Sequence, residues 1–196
     1  MRKYQLITAL LFILVASLTC AEEQPVQQYD FKRIIWGMSR EEVKASENMT
    51  PSYEDEESVA YSVTICGLRA ELFYIFTKTG KLSRAGYYID EKHFNENLYI
   101  TDFWTLREAL IDKYGDPTSH DIIWRNRLYE DDYENWGLAV SIGHLVFSDS
   151  WETPRTRIEL ELYGDNFEIH LLIRYISKEF LEIEKQEKKS TDAANL

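Results

Sequence analysis

The stretch TRIELELYGDNFEIHLLIRYI, residues 156–176, decides the fold. Ile158, Leu160 and Leu162 alternate with Arg157, Glu159, Glu161 and Tyr163, the period of two expected of a strand with one buried and one wet face. Gly164, Asp165 and Asn166 then supply turn chemistry, and the chain returns through 167–176. An antiparallel hairpin follows, with Glu168, His170 and Arg174 beside Arg157, Glu159, Glu161 and Tyr163 on the wet face.

The same signals recur upstream. Val59, Tyr61, Val63 and Ile65 share one face of a strand, and Ala70, Leu72, Tyr74 and Phe76 share one face of the next. Lys78, Thr79 and Gly80 turn the chain into a further strand over 81–89. Further strands are predicted at 31–36, 120–127 and 138–147. Ser39 followed by Glu42 forms a capping box that opens a helix over 40–47. Phe103, Leu106, Leu110 and Tyr114 recur at helical spacing across 95–114, and Gly115, Asp116 and Pro117 end that helix. Pro51 and four successive acids, 54–57, mark 50–58 as a loop.

Phe73 to Ile89 and Leu160 to Ile176 read alike at an offset of 87, pairing Phe76 with Tyr163, Leu82 with Ile169 and Tyr88 with Tyr175. The expected fold is therefore α+β, two helix-plus-antiparallel-sheet halves forming one domain. Its divisions are 1–21 as signal peptide, 22–30 as flexible lead, 31–176 as the domain and 177–196 as a polar helical or disordered tail. The run Trp36-Gly37-Met38-Ser39-Arg40-Glu41-Glu42-Val43 resembles the W-G-M-[ST]-x-x-E-V opening of uncharacterised exported bacterial proteins. More distantly, Gly37-Met38-Ser39 and the exit Gly115-Asp116-Pro117 are similar to the helix punctuation of small outer-membrane lipoproteins of the SmpA/OmlA type. The two-repeat plan resembles that of secreted β-lactamase-inhibitor proteins. The resemblance implies a fold and carries no functional residue with it.

The address is read from the N-terminus. Arg2 and Lys3 precede an apolar run over 6–18, and Thr19 and Ala21 are the small residues a signal peptidase accepts, so cleavage is expected after Ala21. Thirteen residues at 1.5 Å each span about 20 Å, too short for the hydrocarbon core. Cys20 offers an alternative, acylation as a lipoprotein, although Ser17 and Thr19 are poor lipobox residues. The protein is expected to be periplasmic or secreted, and at a membrane only if Cys20 is lipidated.

The 196 residues carry 22 Lys and Arg against 34 Asp and Glu, a net charge of −12 that repels polyphosphate and argues against nucleic acid as a partner. Cleavage leaves one cysteine, Cys66, hence no internal disulfide; it reads as an inert small hydrophobe beside a strand. The four histidines, His93, His120, His144 and His170, are too widely spaced to preset a metal site. Asp131 to Gly137 only superficially suggests a calcium loop, because Tyr133 occupies a ligand position and the twelfth ligand is missing. No phosphate loop, serine elbow or dinucleotide motif is present. No catalytic residue, metal or cofactor is named on these grounds.

Two binding candidates remain. One is the wet sheet face of Arg157, Glu159, Glu161, Tyr163, His170 and Arg174, of the residue types that protein interfaces favour and that also serve merely to solubilise a sheet. The other is the acidic, aromatic connector bounded by Trp124 and Trp136 and carrying Tyr129 and Tyr133, which either recognises something or anchors itself on its own tryptophans. The expected function is that of an exported noncatalytic module that contacts a protein or envelope component; the alternative is a small hydrolase-like enzyme assembled from sequence-distant residues.

Overall fold

The structure, a computed structural model, describes residues 29–183. The expected signal peptide, Cys20, most of the lead and the end of the tail lie outside those residues. Phe31 and Ile34 are joined in an isolated bridge around a turn in which Lys32 takes φ 51°. The strand predicted at 31–36 is therefore a turn. Phe31, Ile34 and Trp36 are apolar because each is buried in the core, and burial alone imitates a short strand pattern.

Ser39 caps α1, Arg40–Glu47, with both hydrogen bonds of the capping box in place, and Asn48 ends it in the left-handed region. Val43 is the residue that α1 buries. A two-residue strand β1, Tyr53–Glu54, lies within the predicted loop and pairs with β2, Ser58–Ile65. β3, Leu68–Phe76, and β4, Leu82–Ile89, complete a meander. α2, Asn97–Tyr114, buries Phe103, Leu106 and Leu110 and stops at Gly115, φ 80°. The second half runs β5, Ser119–Trp124; α3, Trp136–Ser141; β6, Leu145–Glu152; β7, Thr156–Asp165; and β8, Glu168–Ser177.

These strands make one antiparallel eight-stranded sheet in the order β1-β2-β3-β4-β8-β7-β6-β5. Each half contributes a meander, and β4 joins β8 in the middle, Tyr87 facing Ile173. The protein is an α+β domain of two helix-plus-sheet halves. The offset of 87 is one residue out, however. It matches core-facing Phe76 to the exposed Tyr163 and half-buried Tyr88 to the buried Tyr175. Because side chains alternate, a slip of one residue exchanges the faces.

The apolar run 138–147 is not one strand. It is α3, a turn at Gly143, φ 76°, and the start of β6. Periodicity cannot distinguish a short buried helix from a buried strand, and here backbone packing decides. A Cβ on Gly137 would sit 2.4 Å from the Asn97 nitrogen, and one on Gly164 would sit 2.4 Å from the Val140 carbonyl oxygen, so α3 is wedged between α2 and β7. Gly164 accordingly belongs to β7, and the β7–β8 turn is made by Asn166 and Phe167, both at positive φ. Cys66 also departs from expectation. It is exposed in the β2–β3 turn at φ 49°, not packed as a hydrophobe.

The helices and the 29–36 segment cover one face of the sheet, over a core that includes Val59, Tyr61, Leu72, Tyr74, Leu160, Leu162, Ile173 and Tyr175. On the opposite, open face, the Phe73 ring crosses Gly86, and a Cβ there would meet the Ile173 carbonyl oxygen at 2.1 Å. Gly86→Ala is expected to destabilise the protein by about 2–3 kcal/mol, as overpacking at a backbone-limited site does, with chemical denaturation as the measurement.

Three phenols, those of Tyr74, Tyr87 and Tyr175, sit at the seam between the halves. Burial pushes Tyr87 up to about 12, raises Tyr74 beyond that and holds Tyr175 well above the ordinary phenol value; carboxylate Glu47 adds to the first two, and Tyr114 to the third. A phenol whose pKa is raised on folding keeps its proton where the unfolded chain has lost it. Stability should therefore be intact below pH 10 and fall between pH 10 and about 12. A phenolate absorbance titration is expected to show these tyrosines ionising together with unfolding, whereas ionisation of all of them near pH 10 in a folded protein would contradict their burial.

Candidate functional site

β7 and β8 place the predicted wet-face residues together. Glu159 faces Arg174 and Tyr163 faces His170 in the register, so Arg157, Glu159, Glu161, Tyr163, His170 and Arg174 share the open face. Arg174 is the hub: its Nη2 lies 2.5 Å from Glu161 Oε2 and 2.8 Å from Glu159 Oε2, while the Arg157 Nε reaches Glu159 Oε1 at 2.9 Å. The Arg174 Nε is buried with no hydrogen-bond partner among the described residues. Glu168 is exposed at the end of the same face.

β4 extends this surface. The Tyr88 hydroxyl lies 3.0 Å from His170 Nδ1, and the His170 ring is 5.1 Å from that of Tyr163. Burial, then the Asp90 carboxylate, raise the Tyr88 pKa, so the phenol holds its proton. Phe73, Ile75 and Leu172 are half-buried on this face, giving apolar ground between the charges. Tyr88, Phe73 and Ile75 escape the wet-face reading because they belong to the first half, and only the β4–β8 pairing brings them alongside.

The aromatic connector is elsewhere. Trp124 pairs with Leu145, a core-face position, so its ring lies on the helix side. Tyr133 stacks on Trp136 at 4.3 Å, and Trp136 meets Trp124 edge-on at 5.5 Å. The Trp136 indole N–H donates to the Glu130 carbonyl, and Asn97 at the start of α2 clamps the segment: its Nδ2 donates to the Tyr133 and Glu134 carbonyls, and its Oδ1 accepts from the Gly137 N–H. Tyr129 stacks toward His144 at 6.4 Å. Trp124 and Trp136 thus hold the connector to its own domain, and of its aromatics only Tyr133 is largely exposed. The two candidate surfaces occupy different faces.

A third cluster escapes the reading of the sequence. Asp149 is fully buried on the helix-facing side and takes the Arg107 Nε at 2.6 Å on one oxygen and His120 Nδ1 at 2.6 Å on the other. Trp104 flanks both, its ring 5.7 Å from that of His120 and 5.5 Å from the guanidinium. The signal was available: in Phe147-Ser148-Asp149-Ser150-Trp151 the aspartate holds the phase of the aromatics, and a charge in core phase needs a partner. A second pair, His93 Nε2 with Asp102 at 2.6 Å, fastens the 90–96 link to α2. Both pairs join α2 to a neighbouring element, through Asp102 in one case and Arg107 in the other.

The clefts are peripheral. One of about 360 Å³ is bounded by Tyr29, Lys32, Lys113, Tyr114 and Arg155. Among the described residues no group of three His, Cys, Asp or Glu is placed to hold a metal ion. Comparison of the chain with protein-family models, with curated proteins and with solved structures finds no match in any of the three.

Asp149→Ala should cost about 3–5 kcal/mol, because it leaves the Arg107 charge half-buried without its carboxylate. Thermal or denaturant unfolding measures this. A loss below about 1 kcal/mol would show that the cluster does not tie α2 to the sheet.

Proposed function

We propose that this chain is an exported, noncatalytic binding module that works by contact with a protein of the cell envelope, through the open face of its sheet. One observation carries the reading: α1, α2 and α3 all cover the same side, leaving on the other a continuous field of Tyr88, His170, Tyr163, Leu172, Phe73 and Ile75 set among the Arg157–Glu159–Arg174–Glu161 ion pairs. Tyrosine and arginine on strands bring large contact area at small cost in ordering, since the sheet already fixes their backbone. The chain's net charge of −12 favours a partner whose approaching surface is basic.

Export is proposed from Arg2, Lys3, the apolar 6–18 run and the Thr19–Ala21 cleavage site, with lipidation of Cys20 as the membrane-bound variant of the same reading. Among the described residues no helix is long and apolar enough to cross a membrane. The enzyme alternative would draw on the two histidine–carboxylate pairs, and it is less well supported because each is engaged in holding α2 in place.

Glu161→Lys tests the proposal with a partner captured from the native envelope. Folding should change by no more than about 1 kcal/mol, the range of exposed ion pairs. Association at low salt should slow several-fold and the difference should shrink at moderate salt, because a charge near the contact steers encounter. Equal rates at both salts would remove this face from the contact.

A further inference from the structure

The two edges of the sheet are unlike. β1 is a two-residue edge whose Glu54 is held by Lys44 and Arg40 and which leads into further acids, a blunt end for any incoming strand. β5 is six residues long, Ser119–Trp124, without proline, lysine or bulge, and Ile122 and Ile123 on it are 40% and 46% exposed. Within the strand itself, the charge of Asp121 is the one feature that ordinarily blunts an edge.

The phase of its backbone follows from one hydrogen bond. The Arg125 N–H donates to the His144 carbonyl at 2.7 Å, which continues the β5–β6 register. Hydrogen-bonded and non-bonded pairs alternate in an antiparallel ladder, so Asp121 and Ile123 turn their backbone groups toward β6. His120, Ile122 and Trp124 turn theirs outward.

The side chains on the open face complete the pattern. Asp121 and Ile123 stand in line on that face, an acid and an apolar residue, and the base Arg125, one residue beyond β5, continues the line through its bond to His144; neither Asp121 nor Arg125 has an ion-pair partner among the described residues. They are about 14 Å apart along the strand at roughly 3.4 Å per residue, too far to pair with one another. An antiparallel twofold through Ile123 satisfies all three at once. Ile123 meets Ile123 of a second copy, Asp121 meets Arg125 of that copy and the reverse, and the outward backbone groups of Ile122 and Trp124 fall opposite one another. We infer that β5 is a homodimer edge, where a second copy of this chain docks antiparallel in this register and extends the sheet across the twofold. The inference stands apart from the open-face reading, because it rests on the sheet edge and would hold whatever the face contacts.

A charge-exchange series tests it, with sedimentation of the purified protein across a range of concentrations as readout. The unaltered protein should be a dimer, Asp121→Arg and Arg125→Asp should each raise the dimer dissociation constant at least tenfold, and the double exchange should bring it back to within about threefold. Circular dichroism and melting confirm that each variant is folded. Hydrogen exchange supplies a second readout that needs no variant: the Ile122 and Trp124 amides should gain protection as concentration rises, while those of Asp121 and Ile123 should be protected throughout. A monomer at all concentrations overturns the inference, as does a dimer indifferent to both reversals or concentration-independent exchange at Ile122 and Trp124.

Discussion

The antiparallel pairing of β4 with β8 is the constraint on which the rest depends. It fuses two four-stranded halves into one sheet, and by setting Tyr87 against Ile173 it fixes which side of every strand the helices cover. Gly86 is the condition for that pairing, since any side chain there would strike the Ile173 carbonyl and the Phe73 ring. With the pairing in place, the helix-covered side holds the tyrosine seam and the Asp149 clamp, and the other side presents Tyr88 from one half to His170 from the other. The surface that the proposed function uses is therefore a product of the joint. Neither half contains it alone.

Buried polar groups on the helix side are consistent with a structural role. Asp149 satisfies both oxygens with Arg107 and His120, Trp36 donates its indole N–H to Thr156, and Trp151 donates to the Gly115 carbonyl. Each such bond ties an element to another distant in sequence. A buried charge held this way costs little while its partners remain and a great deal once one is removed. Such contacts fix position more than they add net stability. On the open face the charges are half-exposed and share partners through Arg174, which leaves them free to rearrange against an incoming surface.

Much of this was legible in the sequence, and the parts that were not share a cause. Strict alternation in 156–163 placed Glu159 and Glu161 on one face, and the capping box at Ser39 and Glu42 placed a helix, because both signals are local. The 138–147 run misread as a strand, since α3 is set by backbone contacts of Gly137 and Gly164 that only the tertiary structure supplies. The plan of two helix-plus-sheet halves matches the structure, and the offset of 87 falls one residue out of register, because character matching cannot see which face is covered. Cys66 reads as a small hydrophobe by residue type alone, yet the two-residue β2–β3 turn puts it in solvent. The open-face contribution of Tyr88, Phe73 and Ile75 was invisible until β4 met β8.

Photo-crosslinking in the intact host tests the central claim most directly, with the photoreactive residue at Leu172 on the open face and, as the comparison, at exposed Glu108 on α2. The account predicts a discrete adduct with a second protein from position 172 and none from position 108. An adduct from position 108 with none from position 172 would contradict it, and would move the contact surface to the helical side.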